Sequence, residues 1–425
     1  MSLVEIYSPV VPIKSGTADY LDKVLLRLSA IEGVSENLTI ATDLESLPAG
    51  SNSLSGIKLV DYRTRVADMS PLGTTRIFAL ANNRHHAFVQ RALEQVRHCA
   101  YGKIIALLHE PCVFMLHRWR SGESGQGVGE RELVALTAAQ YGLDAERLVQ
   151  LRLHGGMPAL YEYVTHGQAT ALGICHEIWV HSLFAASKLV LESRMKAGDF
   201  PRIRVCRHPE GDAPGAEASD AGAVPGERFE IGCFGWITPV KRVESVLLGV
   251  ALALDRLGAE AAGQVRLSIV GRRADNAPDV AGLAGRYGLG AIVETVEDLS
   301  LEAFEARQRR TDLIFNLRYP SCGETSGTLA SARGGRARLV ASRYQAFVEL
   351  DALAGSVGTL PVFEPLEIAA TVCDTFSRWR AGAEACTSAP RRPSSRIAGV
   401  ERLILAELAA RAVGRRLTEQ AETLS

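Results

Sequence analysis

Charge imbalance is missing from this chain of 425 residues: Lys plus Arg number 47, Asp plus Glu 48, and the formal charge is −1. No global field therefore advertises nucleic acid or an acidic partner, and neither is expected. The eight Cys form no C-x-x-C pair and no tight Cys/His cluster, which argues against a zinc centre or a disulfide framework and for reduced core thiols. Runs of about 18 apolar residues are absent, and the N-terminus has no basic segment followed by an apolar stretch. Neither secretion nor a membrane span is expected, so the expected compartment is the cytoplasm. No Asp-x-Asp triplet occurs, so no divalent ion and no other cofactor is expected.

What the chain does have is apolar content, 47%, at a length that supports two ordinary domains with a core each. The clearest seam is the Gly-, Pro- and Ala-rich stretch from Glu210 to Gly226, which cannot bury enough surface to order itself and reads as a linker or mobile loop over 210–227. It separates an N-terminal domain, 1–209, from a C-terminal one, 228–396. Short β-rich runs alternate with helical patterns in both. They are Lys103 to Leu108, Ile178 to His181 and Ile203 to Cys206 in the first, then Phe229 to Phe234, Val265 to Val270, Asp312 to Leu317 and Arg338 to Ala341. Alternation of this kind predicts parallel sheets with crossover helices, two Rossmann-like α/β domains facing across a cleft. After a Pro/Arg/Ser-rich break, apolar residues at helical spacing predict a terminal helix within 397–425, packed on either half.

Two strand-to-helix loops of the C-terminal half point to an anionic ligand. The strand Asp312 to Leu317 runs through Tyr319-Pro320 into Gly323-Glu324-Thr325-Ser326-Gly327-Thr328 and then an Ala-rich helix, so unpaired backbone N–H groups face whatever lies beyond the strand. The strand ending at Phe234 turns at Gly235 and opens a helix with Lys241-Arg242, where adjacent cations at the positive end of the dipole are favourable only beside an anion. A tight turn with two solvated cations is the competing reading of that second loop. Val270-Gly271-Arg272-Arg273 fits the same rim.

The order Gly235-x5-Lys241, Leu267 to Gly271, Gly323 to Gly327 and Leu339 to Ser342 resembles the donor domain of retaining glycosyltransferases of the two-domain GT-B type, particularly glycosyltransferase family 4. In the N-terminal half, Tyr7-Ser8-Pro9 with Ser15-Gly16-Thr17 looks like the glycine loop after the first strand of bacterial members. Leu107-Leu108-His109-Glu110 is similar to their strand ending in a cleft histidine, and Val180-His181-Ser182 to their strand before the hinge.

The resemblance implies a nucleotide-diphosphate-sugar donor and assigns roles. Lys241 neutralises the donor diphosphate, Glu324 contacts the donor sugar, and backbone N–H groups near Ser326, Gly327 and Thr328 meet phosphate. Gly235, Arg242, Gly323 and Thr325 complete the donor loops, Gly16 lies close to the diphosphate, and His109 sits near the reacting centre, giving His109, Lys241 and Glu324 as catalytic residues. The implied acceptor is a polysaccharide, glycolipid or natural product, and lipid-linked acceptors of relatives leave peripheral membrane contact open.

Two departures stand out. Eight positions beyond Glu324 is Ala332, so the second glutamate of the E-x7-E motif is missing, and Trp236 stands where many relatives carry a diphosphate-binding Arg, leaving Arg242 or Arg318 to substitute. These departures motivate a rival, a glycosyltransferase-like binding or scaffold protein without donor chemistry; a nucleotide-sugar epimerase or a phosphorylase of the same fold is a third reading. Asn82-Asn83-Arg84-His85-His86 reads as a helix start at Asn82 or Asn83 rather than a metal site, with an acceptor-facing loop lining the cleft as the alternative.

Overall fold

The computed structural model describes residues 3–67, 73–96, 102–122, 134, 137–138, 142, 144–156, 160–193, 199–206, 227–332, 335–349, 355–382 and 399–423. Residues 210–226 of the linker read from the sequence lie outside them. The chain divides into two compact units. One comprises Met1–Pro209, Cys322–Thr325 and Ile397–Ser425, the other Glu210–Ser321 and Ser326–Arg396.

The N-terminal unit holds an eight-stranded sheet. Its strands are β1 (Val4–Tyr7), β2 (Leu38–Thr42), β3 (Ser53–Leu54), β4 (Ile57–Asp61), β5 (Thr75–Leu80), β6 (Lys103–Leu108), β7 (Glu177–Val180) and β8 (Arg202–Val205), in the order β3-β4-β2-β1-β5-β6-β7-β8. Every pairing is parallel except β3 with β4. Both faces are covered, so β1, β2 and β5 are buried along their whole length, as parallel strands with helices on each side must be. Successive residues feed opposite cores: Ile77 and Ala79 pack with Leu25 and Leu28, whereas Phe78 and Leu80 pack with Val89 and Leu93.

The terminal helix, Gly399–Thr423, belongs to this unit. Its Val400, Ile404 and Leu408 enter the core beside the helix Gly16–Ser29, and Arg27 pairs with the buried Glu401 at 3.1 Å. A polar clasp holds its middle: Glu407 accepts from Thr75 and Lys103, and Lys103 also pairs with Glu177 at 3.0 Å. Burial would raise the Glu177 carboxyl, but hydrogen bonds from Arg204, Trp179 and Lys103 outweigh it and hold the group at about 2.

The C-terminal unit carries β9 (Phe229–Phe234), β10 (Val265–Val270), β11 (Val293–Val296), β12 (Leu313–Asn316), β13 (Arg338–Ser342) and β14 (Gly355–Val357), all parallel, in the order β11-β10-β9-β12-β13-β14. Chain order reverses between β9 and β12 here, and between β1 and β5 in the other unit. Crossover loops diverge at such switch points and leave a crevice beyond the carboxyl ends of the strands, where open α/β sheets bind ligands. Among the described residues no helix is long and apolar enough to cross a membrane.

Candidate functional site

At the switch point of the C-terminal unit, β9 and β10 end in two glycine turns zipped together. Gly235 N–H donates to Val270 O (2.9 Å) and Ile237 N–H to Arg272 O (2.7 Å). A Cβ on Gly271 would lie 2.0 Å from Gly235 O, so that position accepts only glycine. The chain then makes a 3-10 turn over Pro239–Lys241 and enters the helix Val243–Leu257.

Lys241 folds back over this turn. Its Nζ donates to Asn316 Oδ1 at 3.1 Å, and Ser326 Oγ donates to the same oxygen at 3.3 Å. Ser326 in turn accepts from Leu329 N–H at 3.2 Å and caps the helix Gly327–Ala332. Gly235 faces these groups: a Cβ there would lie 3.1 Å from Thr328 Oγ1 and 3.5 Å from Lys241 Nζ, filling the space between them. An ammonium only donates, so the atom facing Lys241 is the carboxamide oxygen and the other is Nδ2. That Nδ2 is buried with no hydrogen-bond partner among the described residues, an arrangement costing about 1–3 kcal/mol. Lys241 Nζ and Thr328 Oγ1 beside a glycine are a cation and a hydroxyl of the kind an anion accepts from.

The assignments made from sequence divide here. Gly235, Lys241, Ser326 and Thr328 come together, with the exposed Gly327 opening the helix. Arg242 does not join them. It takes a left-handed conformation (φ 57°), and its guanidinium lies 2.8 Å from the fully buried carboxylate of Glu364. It links the helix Val243–Leu257 to the start of the helix Glu364–Arg380, a partnership the sequence reading of Arg242 as a donor-loop residue did not include. Ala332 is buried with Phe234, Val270, Ile314 and Leu339, an apolar setting in which a second glutamate would be an uncompensated charge. Trp236 is exposed.

Gly323, Glu324 and Thr325 group with the N-terminal unit. Cys322 O accepts from Cys112 N–H at 3.1 Å, and Asn82 Nδ2 donates to Cys322 Sγ at 3.1 Å. Gly323 has φ 84°, and a Cβ there would meet Pro111 Cγ at 2.7 Å and Phe184 Cε1 at 2.8 Å, so both its backbone conformation and its packing call for glycine. Thr325 is half-buried. Glu324 is half-buried beside Cys322, Cys112 and Tyr163, whose pKa values are raised first by burial and further by its charge.

At the N-terminal switch point, Ser15 caps the helix Gly16–Ser29, so Gly16 is its first residue. Thr17 Oγ1 lies 2.7 Å from both Ser15 Oγ and His86 Nε2. His86 Nδ1 faces Ala79 O at 2.7 Å; a carbonyl only accepts, so the proton sits on Nδ1 and Thr17 donates to Nε2. His86 closes the 3-10 turn Arg84–His86, which Asn83 caps and which leads into the helix Ala87–Val96. His109, at the carboxyl end of β6, stands edge-on to Tyr20 (4.8 Å between ring centres), with His181 at 5.5 Å and His86 at 6.0 Å. Burial pushes His86 and His181 down to about 4, against opposing hydrogen bonds to Ala79 O and Cys206 O, so both stay neutral.

Sequence reasoning gave no role to Asn316 or Tyr20, and placed Thr17 and His86 only as members of loops. Asn316 carried a signal: a polar side chain closing an otherwise apolar four-residue strand.

No family model and no curated protein matches this chain. Solved structures do. Anabaena HepE in complex with UDP aligns over 96% of this chain and 100% of its own, with a TM-score of 0.57 at 12% identity. Sucrose-phosphate synthase from Thermosynechococcus elongatus aligns over 99% of both chains (TM-score 0.56, 14% identity). WaaG, a glycosyltransferase involved in lipopolysaccharide biosynthesis, aligns over 92% of this chain and 96% of its own (TM-score 0.52, 12% identity). The chain has the GT-B fold of these glycosyltransferase structures, two α/β units built on parallel sheets.

Proposed function

We propose that the protein is a metal-independent, retaining glycosyltransferase of family 4 type, working in the cytoplasm. It would transfer a sugar from a nucleotide-diphosphate-sugar to a polysaccharide, glycolipid or natural-product acceptor. The observation that carries this reading is the cluster of Gly235, Lys241, Asn316, Ser326 and Thr328 at the switch point of the C-terminal sheet. HepE, solved with UDP and with UDP-glucose, supports the ligand class.

In the reaction proposed, the bond from the anomeric carbon to the diphosphate breaks, the acceptor oxygen bonds to that carbon from the same face, and the acceptor proton passes to the departing phosphate oxygen. The barrier lies in charge building on the diphosphate. A fixed ammonium and aimed hydrogen-bond donors lower it without reorganising as the bond breaks. No pair of flanking carboxylates is needed, unlike in glycosidases. Glu324 holds the donor sugar, and His109 orients the acceptor or the transferred sugar.

Calorimetric titration with uridine, guanosine and adenosine diphosphate sugars tests the reading. Saturable heat with one of them is expected, and Glu324→Ala should keep nucleoside diphosphate binding while losing turnover by about 10²-fold or more. Absence of heat with every donor would favour the rival, a scaffold of this fold without donor chemistry, to which buried Ala332 and the pairing of Arg242 with Glu364 lend weight.

A further inference from the structure

Asn316 closes β12 on the same face as Ile314, beneath the helix Gly327–Ala332, and it is almost fully buried. Its single carboxamide oxygen accepts from Lys241 Nζ at 3.1 Å and from Ser326 Oγ at 3.3 Å, so one atom fixes the ammonium relative to the capped end of the next helix. Its Nδ2 remains a buried donor without a partner among the described residues.

The neighbouring cation shows the alternative the chain uses elsewhere. Arg242 is held by the carboxylate of Glu364, which cancels its charge. Lys241 accepts its position from a neutral amide, which orients the ammonium without adding a counter-charge of its own. A carboxylate at 316 would have the same shape and would still accept both hydrogen bonds. It would also replace the spare donor with an acceptor and set a negative charge 3.1 Å from the ammonium.

We infer that Asn316 is the positioning residue of the proposed anion site, a neutral anchor that orients Lys241 and Ser326 without setting a carboxylate beside the ammonium. The inference rests on the proposed anion site and deepens it: at 316 the site is selective for amide over carboxylate.

The test compares Asn316→Asp, Asn316→Ala and the unsubstituted full chain by calorimetry with UDP and with inorganic pyrophosphate, over a salt series, with thermal melts of each. A purely structural role predicts that the isosteric Asp is the milder change, since it keeps both accepted hydrogen bonds. The charge-conserving role predicts the reverse: Asn316→Asp melts within a few degrees of the unsubstituted protein yet binds both probes at least tenfold more weakly and with a flatter salt dependence, and Asn316→Ala falls between the two. Should the chain bind UDP while Asn316→Asp binds it as well as, or better than, Asn316→Ala, the inference is overturned and the proposed function stands. Should the unsubstituted chain bind neither probe, both fall.

Discussion

Beyond β9 and β12 the C-terminal unit keeps a cation half-buried, tied to a carboxamide and flanked by hydroxyls. Beyond β1, β5 and β6 the N-terminal unit crowds imidazoles around Tyr20 and holds two of them, His86 and His181, neutral by burial. Each group lies at the switch point of a parallel sheet, so the architecture supplies the location in both cases and says nothing of the chemistry. Side-chain choice sets that. A held positive charge suits a departing diphosphate, whereas neutral imidazoles at ordinary pH offer hydrogen bonds without repelling or attracting charge.

The largest expected effect comes from removing the held charge. Lys241→Ala should lower kcat/KM for the preferred donor by roughly 10²- to 10³-fold, the loss associated with deleting one electrostatic stabiliser of a departing anion, with little change in the melting profile. If steady-state rates with Lys241→Ala match those of the unsubstituted enzyme, the C-terminal group is not the charge-handling one and the contrast between the units disappears.

Arg242 sharpens the comparison, because it differs from Lys241 by one position and by its partner. Arg242→Gln should leave UDP affinity within about threefold and instead destabilise the fold by about 3 kcal/mol, because the fully buried Glu364 carboxylate loses its counter-ion. Urea unfolding followed by circular dichroism reads that loss. A variant with unchanged stability and tenfold weaker UDP binding would return Arg242 to the ligand site.

The contrast between these two cations was not legible in the sequence. The strands were: Lys103–Leu108, Phe229–Phe234 and Val265–Val270 fall where their apolar runs place them, because doubly covered parallel strands read as near-continuous hydrophobic segments. The glycine turns were legible as well, since Gly271 leaves no room for a Cβ. What a one-dimensional pattern cannot hold is partnership across long separations. Glu364 stands 122 positions from Arg242, and Asn316 stands 75 from Lys241. Gly323 shows the same limit: the sequence offers a glycine before Glu-Thr-Ser-Gly, but not that the atoms a Cβ would meet belong to Pro111 and Phe184. The histidine group drew on four separate segments, the helix Gly16–Ser29, the turn Arg84–His86 and the ends of β6 and β7, and only His109 was given a role by its motif.

The smallest effect, and the one that probes the N-terminal side of the comparison, concerns pH. His86 and His181 have folded pKa values of about 4 against an ordinary 6.5, so between those limits the unfolded chain binds protons that the folded chain refuses. Stability is therefore complete above pH 6.5 and is lost as pH falls toward 4, by a few kcal/mol over the window. Thr17→Val deletes the hydroxyl that donates to His86 Nε2 and leaves a buried acceptor, which should cost about 1 kcal/mol at pH 7. Urea midpoints at pH 7 and pH 4.5 should then fall together for the variant and the unsubstituted protein, offset by that amount. A midpoint unchanged by acid would mean that the imidazoles take up protons as readily in the folded state as in the unfolded chain, so that burial does not keep the N-terminal switch point neutral.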